Sequence, residues 1–365
     1  MAENSKGCEM IELRKDNSAR MVEQALSFQR PERLPVFDSF WKEFEDNWRR
    51  LRNQPGETDI EDYYWNDLKV IAAREEFFPT RIGETGSDGD WVYEDDGWGR
   101  TVRRKPDAFF TQPVERLLKS PTGLDAIQFE PADMDMRYAD FVGEVEYHRN
   151  KGRALFVKIG GPFIRSTFFR GEVELLMDLA QDEPFAKAVI EKVSEHLLQI
   201  GLESLKRAGA GNFGVWIYDD MCNLRAPMFS PATFERVFLP IYKRIVSSLK
   251  HAGARWVFLH CDGNLMPLLD LVVEAGIDGI NPVEPAAGMN VEELMERYHG
   301  RLSLVGGLCN THILPSGDAD RIRRHVLAVA DAGKNGGLVI GTHTVGPDVS
   351  VESYELYRQV VAELF

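Results

Sequence analysis

From residue 154 onward the chain repeats one pattern: a short apolar and β-branched run, a polar or glycine-containing turn, then a longer stretch with apolar residues at helical spacing. The short runs predict strands at 154–161 (ALFVKIGG), 213–220 (FGVWIYDD), 255–262 (RWVFLHCD), 277–284 (IDGINPVE), 302–309 (LSLVGGLC) and 337–344 (GLVIGTHT). The stretches between and after them predict helices over 183–208, 231–252, 291–299, 318–332 and 351–364, several opening with a Ser, Asp or Pro start signal. An earlier strand is expected at 34–40 (LPVFDSF) and an eighth within 107–140. Strands that each lead into a helix build either a doubly wound sheet or a closed barrel. No GxGxxG opens a helix after the first strand, which weighs against a dinucleotide-binding sheet. The expected fold is therefore α/β, a single (β/α)8 TIM barrel.

Residues 41–106 break the repeat and are rich in aromatics and acids (WKEFEDNW, EDYYWND, WVYEDDGWGR), with a hairpin-like turn at Asp95, Asp96 and Gly97. They are expected to form an insertion over the strand C-terminal face, its aromatics making a small core of their own or stacking on a ligand. Residues 1–20 read as an N-terminal extension.

Composition narrows the function. The 365 residues are 44% hydrophobic and 28% charged, the balance of a globular chain. There is no run of roughly 18 apolar residues to span a membrane, and the N-terminus lacks the apolar centre of a leader, so a cytoplasmic location is expected. A net charge of -15 repels nucleic acid and anionic lipid; the basic run RTVRRK (100–105) reads as a solvated ribbon edge. Four scattered cysteines (Cys8, Cys222, Cys261, Cys309) form no CxxC and are expected as thiols.

A barrel gathers chemistry at its strand C-termini. The ends here carry Asp38, the pair Gly160 and Gly161, Asp219 with Asp220, His260 with Asp262, Glu284, Cys309 and His343. Side chains alternate along a strand, so His260 and Asp262 share the inward side while Cys261 packs behind. With His343 from the last strand they offer three nitrogen and oxygen ligands of the kind zinc accepts. The same residues could instead hydrogen-bond one another without metal. Asp219, Asp220 and Glu284 are candidate catalytic carboxylates, with an N-cap or turn role as the alternative. Asp38, Gly160, Gly161 and Cys309 are candidate substrate contacts.

Several of these segments, namely RPERLPVFDSFW, YDDMCNLRAPMFSPATFERVFLPIYKRI, FLHCDGNLMPLLDLVVEAGIDGINPVEPAAGMNVEEL, LVGGLCNTHILPSG and GTHTVGPDVSVESYELY, resemble the uroporphyrinogen decarboxylase superfamily. They look more like its corrinoid-dependent methyltransferase branch than its decarboxylases. The region matching the decarboxylases' arginine-rich substrate grip is acidic and aromatic here (FDSFWKEFEDNW). In that branch zinc is held by a His-x-Cys pair and a later cysteine, which fall on His260, Asp262 and His343. The resemblance implies methyl transfer from a small methylated substrate, a methyl ether such as a methoxylated aromatic, to the cobalt of a separate corrinoid protein. No DxHxxG cobalamin segment is present in the chain, so the corrinoid is expected on that partner. A homodimer is compatible with this reading. The alternatives are methylcobalamin-dependent thiol or tetrahydrofolate methyl transfer, and porphyrinogen decarboxylation.

Overall fold

The computed structural model describes residues 18–105, 111–211 and 213–364. Its strands are β1 (Leu68–Ala72), β2 (Gly83–Asp88), β3 (Trp91–Asp95), β4 (Arg100–Arg104), β5 (Gln112–Arg116), β6 (Ala154–Gly160), β7 (Gly214–Tyr218), β8 (Trp256–His260), β9 (Gly279–Val283), β10 (Ser303–Gly307) and β11 (Leu338–Gly341). β1 and β6 to β11 form one curled parallel sheet in the order β1-β6-β7-β8-β9-β10-β11, consistent with a TIM-like barrel. Phe156, Trp216 and Phe258, on neighbouring strands β6, β7 and β8, turn to its concave side, their ring centroids 5.1 to 5.3 Å apart. Phe37, Leu68, Val305 and Val339 join the same buried cluster, so the interior is packed and the strand C-termini form a mouth above it.

Two expectations are corrected. The strand expected within 107–140 is not part of the parallel sheet: residues 107–110 lie outside the described residues, and β5, in the described remainder, belongs to an antiparallel sheet. The missing strand is β1, which lies inside the stretch expected to be an insertion. LKVIA is short, and its Lys69 points away to pair with Glu61 at 2.6 Å, so its apolar signal is faint. The 34–40 segment also falls short of a regular strand, contributing only isolated bridges at Val36 and Phe40 to the β11 side. Its backbone partners explain this. On one side Phe37 donates to Ile340 O at 3.0 Å and Ile340 to Pro35 O at 2.9 Å. On the other, Val36 N and Asp38 N donate to side chains, Asp67 Oδ2 at 2.8 Å and Asn66 Oδ1 at 3.2 Å. One backbone bond, Asp67 N to Val36 O at 2.9 Å, remains on that side; carboxylate and amide groups take the other positions of a strand ladder, linking the two edges of the sheet.

Asp38 anchors that seam. It is wholly buried and accepts from Thr342 N (2.8 Å), Thr342 Oγ1 (3.2 Å), Tyr354 Oη (3.0 Å), Tyr357 Oη (3.2 Å) and Arg358 (3.2 Å). Both oxygens are taken, so Asp38 is a closure residue rather than the substrate contact expected.

The 41–106 stretch is not one block. Helix Lys42–Leu51 lies against the last helix, Val351–Glu363, through Phe44 and Tyr354 (5.7 Å) and the Arg52 to Glu355 ion pair (2.6 Å). β2 to β5 form an antiparallel sheet whose β3–β4 turn carries the expected hairpin. That turn leans on helix Pro162–Arg170, with Arg165 over Trp98 at 4.3 Å and Arg100 over Phe168 at 4.0 Å. Trp48, Trp65, Trp98, Phe77 and Phe78 are buried; these rings pack the protein rather than stacking on a ligand. The acids here are also committed: Glu94 to Arg104 (2.8 Å), Asp96 to Arg100 (2.5 Å), and Asp95 to the Gly97 amide (2.9 Å).

Replacing Asp38 by Ala leaves the Arg358 guanidinium buried beside two phenols without its carboxylate. The expected loss is about 3–5 kcal/mol in urea unfolding. Asp59→Ala, which removes the exposed N-cap of helix Ile60–Tyr64, is expected to cost about 1 kcal/mol. Equal losses for the two variants would contradict the anchoring role.

Candidate metal centre

β8 ends at His260, and the chain turns at once through Cys261, Asp262 and Gly263. Cys261 is buried behind the strand, where its Sγ accepts from Met221 N at 3.3 Å. His260 and Asp262 face the mouth. Gly263 sits at φ 86 with its amide donating to Glu284 Oε2 at 2.7 Å, and a Cβ there would overlap the Asn223 backbone. Only glycine fits this turn without strain, and its amide ties the chain just after Asp262 to Glu284.

From β11 comes His343. Its Nε2 lies 3.1 Å from Asp262 Oδ1, and His260 Nε2 lies 3.2 Å from the same oxygen. Among the described residues these three are the cluster with metal-ligand spacing. The far nitrogen of each ring is held. His260 Nδ1 meets Asn281 Oδ1 at 2.7 Å, and the Asn281 amide nitrogen donates to Val305 O at 3.3 Å. That bond fixes which end of Asn281 faces the ring, so Nδ1 must be the donor and neutral His260 keeps its lone pair on Nε2. His343 Nδ1 lies 3.4 Å from Glu284 Oε1, which likewise leaves Nε2 toward Asp262. Tyr218 stacks on His260 with centroids 4.1 Å apart and planes 12° from parallel, fixing the ring's tilt.

The electrostatics are unbalanced. Asp262 Oδ1 is buried and has no hydrogen-bond donor, yet two imidazole nitrogens point at it. In their neutral tautomers these are lone pairs facing an anion. Burial alone would raise the Asp262 carboxyl and lower the His343 imidazole, but each is driven the other way: His260 and His343 hold Asp262 down, while Glu284 and Asp262 hold His343 up. A divalent cation between the three atoms removes the conflict without any proton. The donor set fits zinc.

The other expected residues are sorted by burial. Asp219 is wholly enclosed, accepting from Phe163 N (3.0 Å), Ile164 N (2.6 Å) and Tyr242 Oη (2.6 Å). It caps the helix that starts at Pro162, and burial pushes its carboxyl up to about 7 against those donors. In this structure its oxygens are spent as a structural cap. Gly161 is where that cap presses: a Cβ would overlap the Asp219 side chain, and at Gly160 it would overlap Arg165. The glycine pair therefore admits these side chains rather than a ligand. Cys309 is buried, with Sγ accepting from His312 N at 3.4 Å and its own amide donating to His325 Nε2 at 3.0 Å, outside the cluster. Asp220 does remain at the mouth. Its side chain is 43% exposed, Oδ1 accepts from Asp262 N at 3.1 Å and lies 3.9 Å from His260 Nε2, and burial pushes its carboxyl above the usual range. Glu284 stands behind His343 and orients it. Asn281 and Tyr218 were not anticipated, although an asparagine inside the apolar run GINPV was a visible signal.

The model of the family described as uroporphyrinogen decarboxylase matches residues 115–364. No curated protein matches the chain. Among solved structures, a methyltransferase from Methanosarcina mazei superposes with a TM-score of 0.68 at 16% identity, covering 95% of this chain and 98% of that one. A B12-independent methionine synthase from Shewanella sp. W3-18-1 gives a TM-score of 0.43 at 14% identity, over 93% and 96% of the two chains. The first likeness bears on the fold.

The Asn281 contact predicts that neutral His260 is the Nδ1–H tautomer. Nitrogen-15 correlation spectra of the metal-free protein should show it, and Asn281→Leu should lose the preference. An Nε2–H tautomer in the unsubstituted protein would refute the assignment.

Proposed function

The chain belongs to the uroporphyrinogen decarboxylase family, and from that premise we propose that it is a methyltransferase moving a methyl group from a small methylated substrate to the cobalt of a separate corrinoid protein. The substrate we favour is a methyl ether such as a methoxylated aromatic, with zinc held by His260, Asp262 and His343. One observation carries the reading: the buried, donorless Asp262 oxygen with two imidazole nitrogens aimed at it. Three protein ligands of nitrogen and oxygen type leave room for a further one, the arrangement of catalytic rather than structural zinc. The acidic lining of the mouth, Asp220, Asp262 and Glu284, opposes binding of the many-carboxylate substrates that a porphyrinogen decarboxylase must grip.

A zinc ion bound there would supply Lewis acidity to a leaving oxygen. The chain's own residues do the rest. Asn281 and Glu284 fix the two rings so that their lone pairs converge, and the turn at Gly263 holds Asp262 between them. When the methyl carbon–oxygen bond breaks, the electron pair stays on oxygen, which then takes a proton. Asp220 is the acid placed to give it: half-exposed at the mouth, beside His260, and raised by burial so that its proton is retained to higher pH. The corrinoid partner reaches the methyl group from the open strand C-terminal face. Transfer to a thiol is less well served, because no cysteine among the described residues belongs to the cluster.

Purified protein should bind about one zinc per chain and, with zinc, demethylate a methoxylated aromatic in the presence of reduced cobalamin. Asp262→Ala should abolish both. Asn281→Leu should weaken zinc about 10–100-fold. Zinc retained in full by Asp262→Ala, or turnover of porphyrinogen and not of ethers, would reject the reading.

A further inference from the structure

Lys158 occupies the middle of β6, between Val157 and Ile159 in a strand that is otherwise apolar. Phe156 turns to the packed interior beneath the mouth, so Lys158, two residues on, projects to the same concave side one layer higher. Its partner in register on β1 is Ala72. Ala72 is exposed although Leu68, four residues earlier on the same side, is buried in that interior. Open space therefore lies beside Lys158 inside the mouth.

The ammonium group donates to Glu75 Oε1 at 2.8 Å and sits 5.2 Å from the centre of the Tyr218 ring. β7 lies between β6 and β8, and the same Tyr218 ring stacks on His260. The phenol thus stands between the ammonium and the imidazole of the candidate metal centre. Glu75 itself is over-supplied: Lys158 and Arg165 both donate to Oε1, and Gly160 N donates to Oε2. Burial alone would raise the Glu75 carboxyl, but Arg165 and Lys158 outweigh it and hold the group down at about 2. Two cations share this one carboxylate, so Glu75 alone does not match their charge. An ammonium has three donors, and among the described residues Lys158 donates to Glu75 alone. A purely structural ion pair needs neither the second cation nor the open space.

We propose that Lys158 is the specificity-determining residue of this mouth, binding a carboxylate on the methylated substrate whose reacting end lies at His260, Asp262 and His343. This rests on the proposed function for which end reacts, but it can fail separately. The ammonium selects for an acid over its neutral analogue, Tyr218 offers a ring face to the body of the molecule, and Glu75 with Arg165 holds the lysine in place.

The zinc-loaded full-length chain, with no corrinoid present, is titrated calorimetrically with 4-methoxybenzoate and with 4-methoxybenzamide, its neutral isostere. The unsubstituted protein should favour the acid by about tenfold or more, as a charge-assisted hydrogen bond implies. Lys158→Met should abolish the preference while zinc content and melting temperature hold, and Lys158→Arg should keep part of it. Should Lys158→Met destabilise the fold by stranding Glu75, the double variant with Glu75→Gln removes both members and should lose the preference equally. Equal affinity for acid and amide, no binding of the acid, or a preference that survives Lys158→Met would each overturn the proposal. Methyl transfer to reduced cobalamin is assayed independently. A carboxylate preference without methyl transfer would reject the proposed function alone, and methyl transfer without the preference would reject the role of Lys158 alone.

Discussion

One carboxylate oxygen of Asp262 lies within 3.2 Å of two imidazole nitrogens and has no hydrogen-bond donor of its own, and the mouth of the sheet is organised around that conflict. With both imidazoles neutral and the Asp262 carboxyl ionised, the three atoms repel one another. Each neighbouring feature nonetheless serves to keep them together: Asn281 behind one ring, Glu284 behind the other, Tyr218 against the face of the first, and the glycine turn that ties the chain after Asp262 to Glu284. A buried polar cluster of this kind is costly unless every member is satisfied. The arrangement is economical only if something positive completes it, whether a proton shared between the groups or a metal ion. A metal ion satisfies all three atoms at once.

The acids at the strand ends divide by what surrounds them. Asp38 and Asp219 are sealed inside, each with its oxygens filled by protein donors, and each fixes a structural boundary: the seam between the sheet's edges and the start of helix Pro162–Arg170. Asp220, Asp262 and Glu284 stay at the mouth, where they meet one another and the histidines. Adjacent residues thus serve opposite ends, as Asp219 and Asp220 do. Alternation along the strand turns the first toward the helices and the second toward the mouth.

Much of this was legible in the chain itself. The six strands from 154 onward and the helices between them follow from apolar period, and the pairing of His260 with Asp262 follows from alternation around Cys261. What stayed hidden depended on long-range contacts. β1 is too short and too polar at Lys69 to stand out beside its aromatic neighbours. The 34–40 segment joins β1 largely through the side chains of Asn66 and Asp67, which no local pattern announces. Gly160 and Gly161 read as a gap for a ligand, whereas the gap is filled by Arg165 and Asp219, the latter nearly sixty residues away in sequence. Lys158 was the opposite case: a lone charge inside FVKIGG is a visible anomaly, but its partner Glu75 follows β1, which the apolar pattern does not reveal.

In the proposed site His260, Asp262 and His343 hold one metal ion through nitrogen and oxygen. X-ray absorption at the zinc edge of the zinc-loaded protein tests this most directly. The prediction is a shell of imidazole nitrogens and carboxylate oxygen at about 2.0–2.1 Å, lost in Asp262→Ala. A sulfur shell at about 2.3 Å, or zinc whose surroundings are unchanged in that variant, would contradict it.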